Sequence, residues 1–143
     1  MEPLEVYTES PEATEALGAL LAQCLPSSAV VALFGDLASG KTCLVRGMAH
    51  YFSGDKPIHS PTFTLVNRYG AGPYLYHLDL YRLSGADELA DLGYEELFEP
   101  DGVCVVEWAE RGEVLLPRRR LDITLEHGGG DRRRLCFIDR GVL

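Results

Sequence analysis

Apolar residues change period several times along the chain, and each change marks an element. After Ser10-Pro11, the residues Leu17, Leu20, Leu21 and Cys24 recur at helical spacing. Serine followed by proline is a helix start, because the first helical position needs no backbone donor. The spacing predicts a helix over about 11–25, ended by Pro26-Ser27-Ser28. Ala29-Val30-Val31-Ala32-Leu33-Phe34 is apolar without alternation, the pattern of a strand buried on both faces. A glycine-bounded loop follows. Leu44, Met48 and Phe52 then return at steps of four, on one face of a second helix.

Further on, residues 63–69 read as a strand. Gly70-Ala71-Gly72-Pro73 turns the chain, and residues 74–80 run back. Alternation on the return strand puts Leu75, His77, Asp79 and Tyr81 on one face, with Leu78 and Leu80 on the other. Three polar groups sharing a face are unusual for a plain core strand. Residues 86–98 predict two short helices divided near Gly93. Val103-Cys104-Val105-Val106 is a second buried strand, ending at Glu107. In the last part Leu121, Ile123 and Leu125 face one way, Gly128-Gly129-Gly130-Asp131 turns, and residues 134–138 return as a hairpin. The expected fold is α/β, a three-layer arrangement with a mixed, partly antiparallel sheet flanked by helices. The 143 residues suit one domain over 1–143.

Composition narrows the function classes. No run approaches the length of apolar residues needed to span a membrane, and the acidic start Met1-Glu2-Pro3-Leu4-Glu5 does not resemble a signal peptide. The four cysteines are scattered and form no C-x-x-C pair. Reduced thiols in the cytoplasm are therefore expected. A net charge of −9 argues against non-specific nucleic-acid binding by the whole surface. Arg118-Arg119-Arg120 and Arg132-Arg133-Arg134 remain as either solvated hairpin ends or a local anion-binding face. Among the 13 basic residues only Lys41 and Lys56 are lysines, and Lys41 stands where a compact, flexible charge has a use.

That place is Gly35-Asp36-Leu37-Ala38-Ser39-Gly40-Lys41-Thr42, which fits G-x-x-x-x-G-K-[ST] without a gap. Glycines let backbone N–H groups surround phosphate oxygens, and the helix opening at Lys41 turns its positive end to the same anion. Lys41 would reach the outer phosphates of ATP, and the Thr42 hydroxyl would ligate Mg²⁺. The buried strand before the motif and the amphipathic helix after it supply the required context. A metal-positioning carboxylate is expected at the end of a neighbouring strand, and Glu107 after four apolar residues fits. Asp79 is a candidate for orienting the attacking water, or else a surface carboxylate paired with Arg82. Thr62 in Ser60-Pro61-Thr62 is a candidate γ-phosphate sensor, with a plain turn as the alternative. His77, Arg82 and Trp108 stay open: Trp108 is either a core aromatic or a surface anchor.

Together, the phosphate loop, Ser60-Pro61-Thr62-Phe63-Thr64-Leu65-Val66, His77-Leu78-Asp79-Leu80-Tyr81-Arg82-Leu83 and Val105-Val106-Glu107-Trp108 resemble the motifs of the bacterial TsaE ATPases, also called YjeE. Order and spacing agree over nearly the whole chain, including Asp87-Glu88-Leu89 to Leu92-Gly93. The resemblance implies a role in forming N6-threonylcarbamoyladenosine at position 37 of tRNAs that read ANN codons. It implies two partners, TsaB and the transferase TsaD, with tRNA met only indirectly through them. Carried over to this chain, it implies that Lys41 holds phosphate and that Thr42 and Glu107 ligate Mg²⁺. It further implies that Asp79 supports hydrolysis and that Thr62 lies in a switch segment. It also brings the N-terminal segment and C-terminal hairpin near the nucleotide. Two departures stand out: Ala38-Ser39-Gly40 replaces a Gly-Ala-Gly, and Cys43 replaces a second Thr that the family often has after Thr42. Other readings are a small-molecule kinase, disfavoured by the short chain, and a nucleotide-dependent binding module with little turnover.

Overall fold

Ala29–Phe34 forms β2, the central strand of a seven-stranded sheet ordered β1-β7-β6-β2-β5-β4-β3. The computed structural model describes residues 2–36, 39–54, 66–70, 73–81 and 101–143. Its elements are β1 (Leu4–Thr8), α1 (Pro11–Cys24), β2, α2 (Lys41–Ser53), β3 (Val66–Tyr69), β4 (Tyr74–Asp79), β5 (Gly102–Glu107), β6 (Leu121–His127) and β7 (Arg133–Asp139). Two 3₁₀ turns, Ala109–Arg111 and Glu113–Leu115, follow β5. β2 runs parallel to β5 and β6, and β4 runs parallel to β5. The β6–β7, β1–β7 and β3–β4 pairs are antiparallel. The sheet is therefore mixed, with its antiparallel parts at the margins.

The continuous apolar runs serve two cores at once. Val31, Leu33, Val103 and Val105 pack with Leu21, Leu44 and Met48 of the two helices. Val30, Ala32, Cys104 and Val106 point to the opposite face, against Leu78, Leu80, Ala109 and Leu116. The expected helices over 86–98 lie outside the described residues. Burial pushes the Cys104 thiol from its usual 9.0 up to about 12. The unfolded chain then loses this proton first, so the buried thiol's contribution is full below pH 9 and is lost as the pH rises toward 12. Stability should fall by about 1.4 kcal/mol per pH unit in that window. Denaturant unfolding at pH 8 and pH 11 should show the fall, and Cys104→Ala should remove this component.

The first helix starts as expected: the Ser10 hydroxyl accepts from the Ala13 N–H at 3.0 Å, with Pro11 behind it. It stops at Cys24, one residue before the expected end, because Leu25 precedes Pro26 and takes an extended conformation. Strand β1 was not expected. Its alternation of Leu4, Val6 and Thr8 is short, it pairs with β7, and its one buried residue, Thr8, meets the Thr14 hydroxyl of α1 at 2.7 Å. Helices α1 and α2 approach closely through two glycines. A Cβ at Gly47 would lie 1.8 Å from the Glu15 carbonyl oxygen, and one at Gly18 would lie 2.1 Å from that of Leu44. Both obstacles are backbone, so neither can swing aside. Gly47→Ala should therefore lower stability by about 3 kcal/mol, measurable as an earlier thermal transition.

Candidate functional site

The loop after β2 leads into α2, whose N-cap is Gly40 at φ 104, in the left-handed region. Gly35 has φ 140, and a Cβ there would lie 2.5 Å from the Leu125 carbonyl oxygen. These two glycines set the bend that starts α2 at Lys41. Lys41 is 5% exposed, and its Nζ donates to the Gly35 carbonyl oxygen. Burial lowers the pKa of this lysine, while the carboxylates of Glu110, Glu107, Asp36 and Asp79 act in the opposite sense. Ser39 is 1% exposed, and its hydroxyl has no hydrogen-bond partner. Asp36 is exposed, and Cys43 borders the hollow beside the loop. Leu37 and Ala38 lie outside the described residues, as do Thr62 and Arg82.

Strands β4 and β5 are parallel neighbours, with Asp79 opposite Glu107. Their ends meet the start of α2, and a cavity of about 90 Å³ is bordered by Thr42, Arg46, His77, Asp79 and Glu107. Alternation along β4 carries His77 and Asp79 onto the face of Leu75, as the sequence predicts. Glu107 is 6% exposed, and among the described residues its Oε1 has no hydrogen-bond partner. Its Oε2 lies 3.5 Å from His77 Nε2. A buried carboxylate oxygen without a donor is costly alone and suits a cation. Among the described residues no three His, Cys, Asp or Glu side chains gather around one point. A Thr42 hydroxyl and one carboxylate, completed by waters, are the sparse oxygen set that Mg²⁺ accepts.

Tyr81 departs from the expected alternation. The strand ends at Asp79, whose Oδ1 accepts from the Tyr81 N–H at 3.0 Å, and the chain turns there. The Tyr81 ring instead packs on Trp108, with centroids 4.9 Å apart. Trp108 is partly buried and packs against the second core, the first of the two readings the sequence left open. Its ring lies under the Lys41 ammonium, with Nζ 3.2 Å from the centroid. Beyond it, Glu110 Oε2 accepts from the Gly35 N–H at 3.4 Å. Sequence reading missed Glu110, which is 75 positions from Gly35 and belongs to no spacing pattern.

The arginine clusters separate into different roles. Arg120 is buried and pairs with Asp122 at 2.7 Å, and Arg140 takes the other Asp122 oxygen at 2.7 Å. Arg132 lies over the Tyr7 ring and pairs with Glu9 at 3.2 Å. Arg134 pairs with Glu5 and with Glu126. Arg133 alone of the second cluster borders the hollow of about 200 Å³ that runs past Gly40, Thr42, Cys43 and Trp108. On the other side of the loop, Thr124, Glu126 and His127 of β6 flank Gly35 and Asp36. The C-terminal hairpin thus stands beside the phosphate loop.

Comparison with known proteins gives one consistent answer. Residues 8–135 match the family described as threonylcarbamoyl adenosine biosynthesis protein TsaE. A protein of Bacillus subtilis (strain 168) named tRNA threonylcarbamoyladenosine biosynthesis protein TsaE is 41% identical over 142 residues, covering 99% of this chain and 89% of its own. The protein of the same name from Treponema pallidum (strain Nichols) is 40% identical, over 85% of this chain and 90% of its own. The crystal structure of YdiB from the same Bacillus species superposes with a TM-score of 0.81 at 37% identity, covering 98% of this chain and 87% of that one. The structural match takes in the seven-stranded mixed sheet and its flanking helices, the arrangement of a P-loop fold.

Proposed function

The chain belongs to the TsaE family of tRNA threonylcarbamoyladenosine biosynthesis, and on that premise we propose that it is a Mg²⁺-dependent P-loop ATPase. Its hydrolysis of ATP supports turnover of the TsaB–TsaD transferase assembly. One observation carries the reading. Ser39, Gly40, Lys41 and Thr42, where the loop opens α2, border one hollow with Glu107, which keeps a buried oxygen without a hydrogen-bond partner among the described residues.

In this reading the backbone N–H groups of residues 35–42 and the Lys41 ammonium hold the outer phosphates. Thr42 and Glu107 would hold Mg²⁺, which when bound neutralises charge on the phosphate oxygens. Asp79, one strand away from Glu107, orients the attacking water and accepts its hydrogen bond. Thr62 acts as the γ-phosphate sensor. Partner proteins rather than this acidic chain meet the tRNA, in keeping with its net charge of −9.

A second reading, a nucleotide-dependent binding module with little turnover, is favoured by one feature. Asp79 Oδ1 is already engaged by the Tyr81 N–H. The deciding experiment is ATP hydrolysis by the purified protein, alone and with TsaB, TsaD and tRNA. Strong stimulation by the pair supports the ATPase reading. Nucleotide binding without hydrolysis in any mixture supports the binding module, and phosphorylation of an added acceptor would revive a kinase.

A further inference from the structure

The 3₁₀ turn that follows β5 brings two side chains onto the phosphate loop. Glu110 places a carboxylate oxygen 3.4 Å from the Gly35 nitrogen. Trp108 places its ring 3.2 Å from Lys41 Nζ, which also donates to the Gly35 carbonyl oxygen. One backbone donor and one ammonium of the loop are therefore turned to the protein's own groups. A carboxylate on a loop N–H is a small-anion substitute for phosphate oxygen. Glu110 is exposed, so no packing demand explains its position.

The turn is held in this posture from behind. Tyr81 packs on the far side of Trp108, and the Arg111 guanidinium lies 5.4 Å from the Tyr81 centroid and 6.0 Å from that of Trp108. Trp108 has φ 57, a left-handed conformation that a tryptophan rarely adopts. The contacts on Lys41 and on the aromatic pair hold a conformation that the backbone alone disfavours. Withdrawal of the turn would relieve that strain and free both loop groups.

We propose that Glu110 sets the nucleotide affinity of this chain, by competing with phosphate for the Gly35 N–H and keeping the Trp108–Glu110 turn closed over Lys41. The inference rests on the nucleotide-binding reading above and adds a determinant of affinity to it. Apparent affinity is that of the open form multiplied by the fraction of molecules in which the turn is open. Neutralising Glu110 raises that fraction.

The test uses the full chain, Glu110→Gln, and Glu126→Gln as a control. Glu126 flanks the same loop but pairs with Arg134 at 3.1 Å, with no hydrogen bond to a loop donor among the described residues. Probes are inorganic pyrophosphate and ADP, with affinity read by calorimetry. Trp108, the single tryptophan, reports the turn by fluorescence. Glu110→Gln should bind both probes about threefold to fivefold tighter, the scale of a partly exposed charge contact. Its ligand-free emission should shift toward that of the liganded wild type, while Glu126→Gln leaves the ligand-free emission in place. Equal or weaker binding by Glu110→Gln, or the same gain in the control with no emission change in either, overturns the proposal. If the wild type binds neither probe but Glu110→Gln does, the proposal stands. If neither binds, the nucleotide reading fails and this one falls with it.

Discussion

Lys41→Ala is expected to lower nucleotide affinity by on the order of a hundredfold to a thousandfold, because in the proposed reading it removes the ammonium that would bond the outer phosphate oxygens. The fold should survive. Lys41 sits at the first position of α2, where alanine is a better helix former than lysine. Burial lowers the lysine's pKa, which means that the folded protein already disfavours the charge there. Removing it should leave thermal unfolding of the ligand-free protein unchanged or slightly later. Calorimetric titration with ADP alongside a melting curve separates the two effects. Retained affinity for ADP in a folded Lys41→Ala protein would remove the phosphate-loop assignment altogether. Lost affinity together with lost folding would show that the lysine is structural instead.

Much of the core of this site is legible in the sequence because its parts are local. The loop from Gly35 to Thr42 lies between a strand and a helix whose periods are unmistakable, and the structure keeps both within a residue of expectation. Glu107 and Asp79 are readable for a different reason. Each ends a strand, and parallel neighbours in register put strand ends at the same level of the sheet. Trp108 and Glu110 could not be read in this way. Their partners are far off in sequence, and the turn that presents them is a single 3₁₀ segment with no period. β1 was hidden too, since this short, mostly exposed strand takes its pairing from a partner at the other end of the chain. Arg120 illustrates the opposite hazard: three consecutive arginines suggest a surface patch, yet one of them is buried against Asp122.

Glu107→Gln should separate the metal from the nucleotide. The substitution keeps the shape of the side chain and removes the charge that would face Mg²⁺. Among the described residues Oε1 has no donor, and Oε2 lies 3.5 Å from His77 Nε2. A neutral amide at such a buried place costs less to desolvate than a carboxylate, so thermal stability without ligand should hold or rise. Binding of ADP without Mg²⁺ should stay within about twofold of wild type, because Lys41 and the loop N–H groups are untouched. The Mg²⁺ enhancement of ATP binding should be lost, and hydrolysis should fall by about a hundredfold or more, the scale of one lost electrostatic stabiliser. A Mg²⁺ titration of ATP binding with both proteins is the direct measurement. An unchanged titration would take Glu107 out of the metal site. A loss of metal-free ADP binding would instead mean that Glu107 positions the loop, acting through the Lys41 ammonium rather than through a metal.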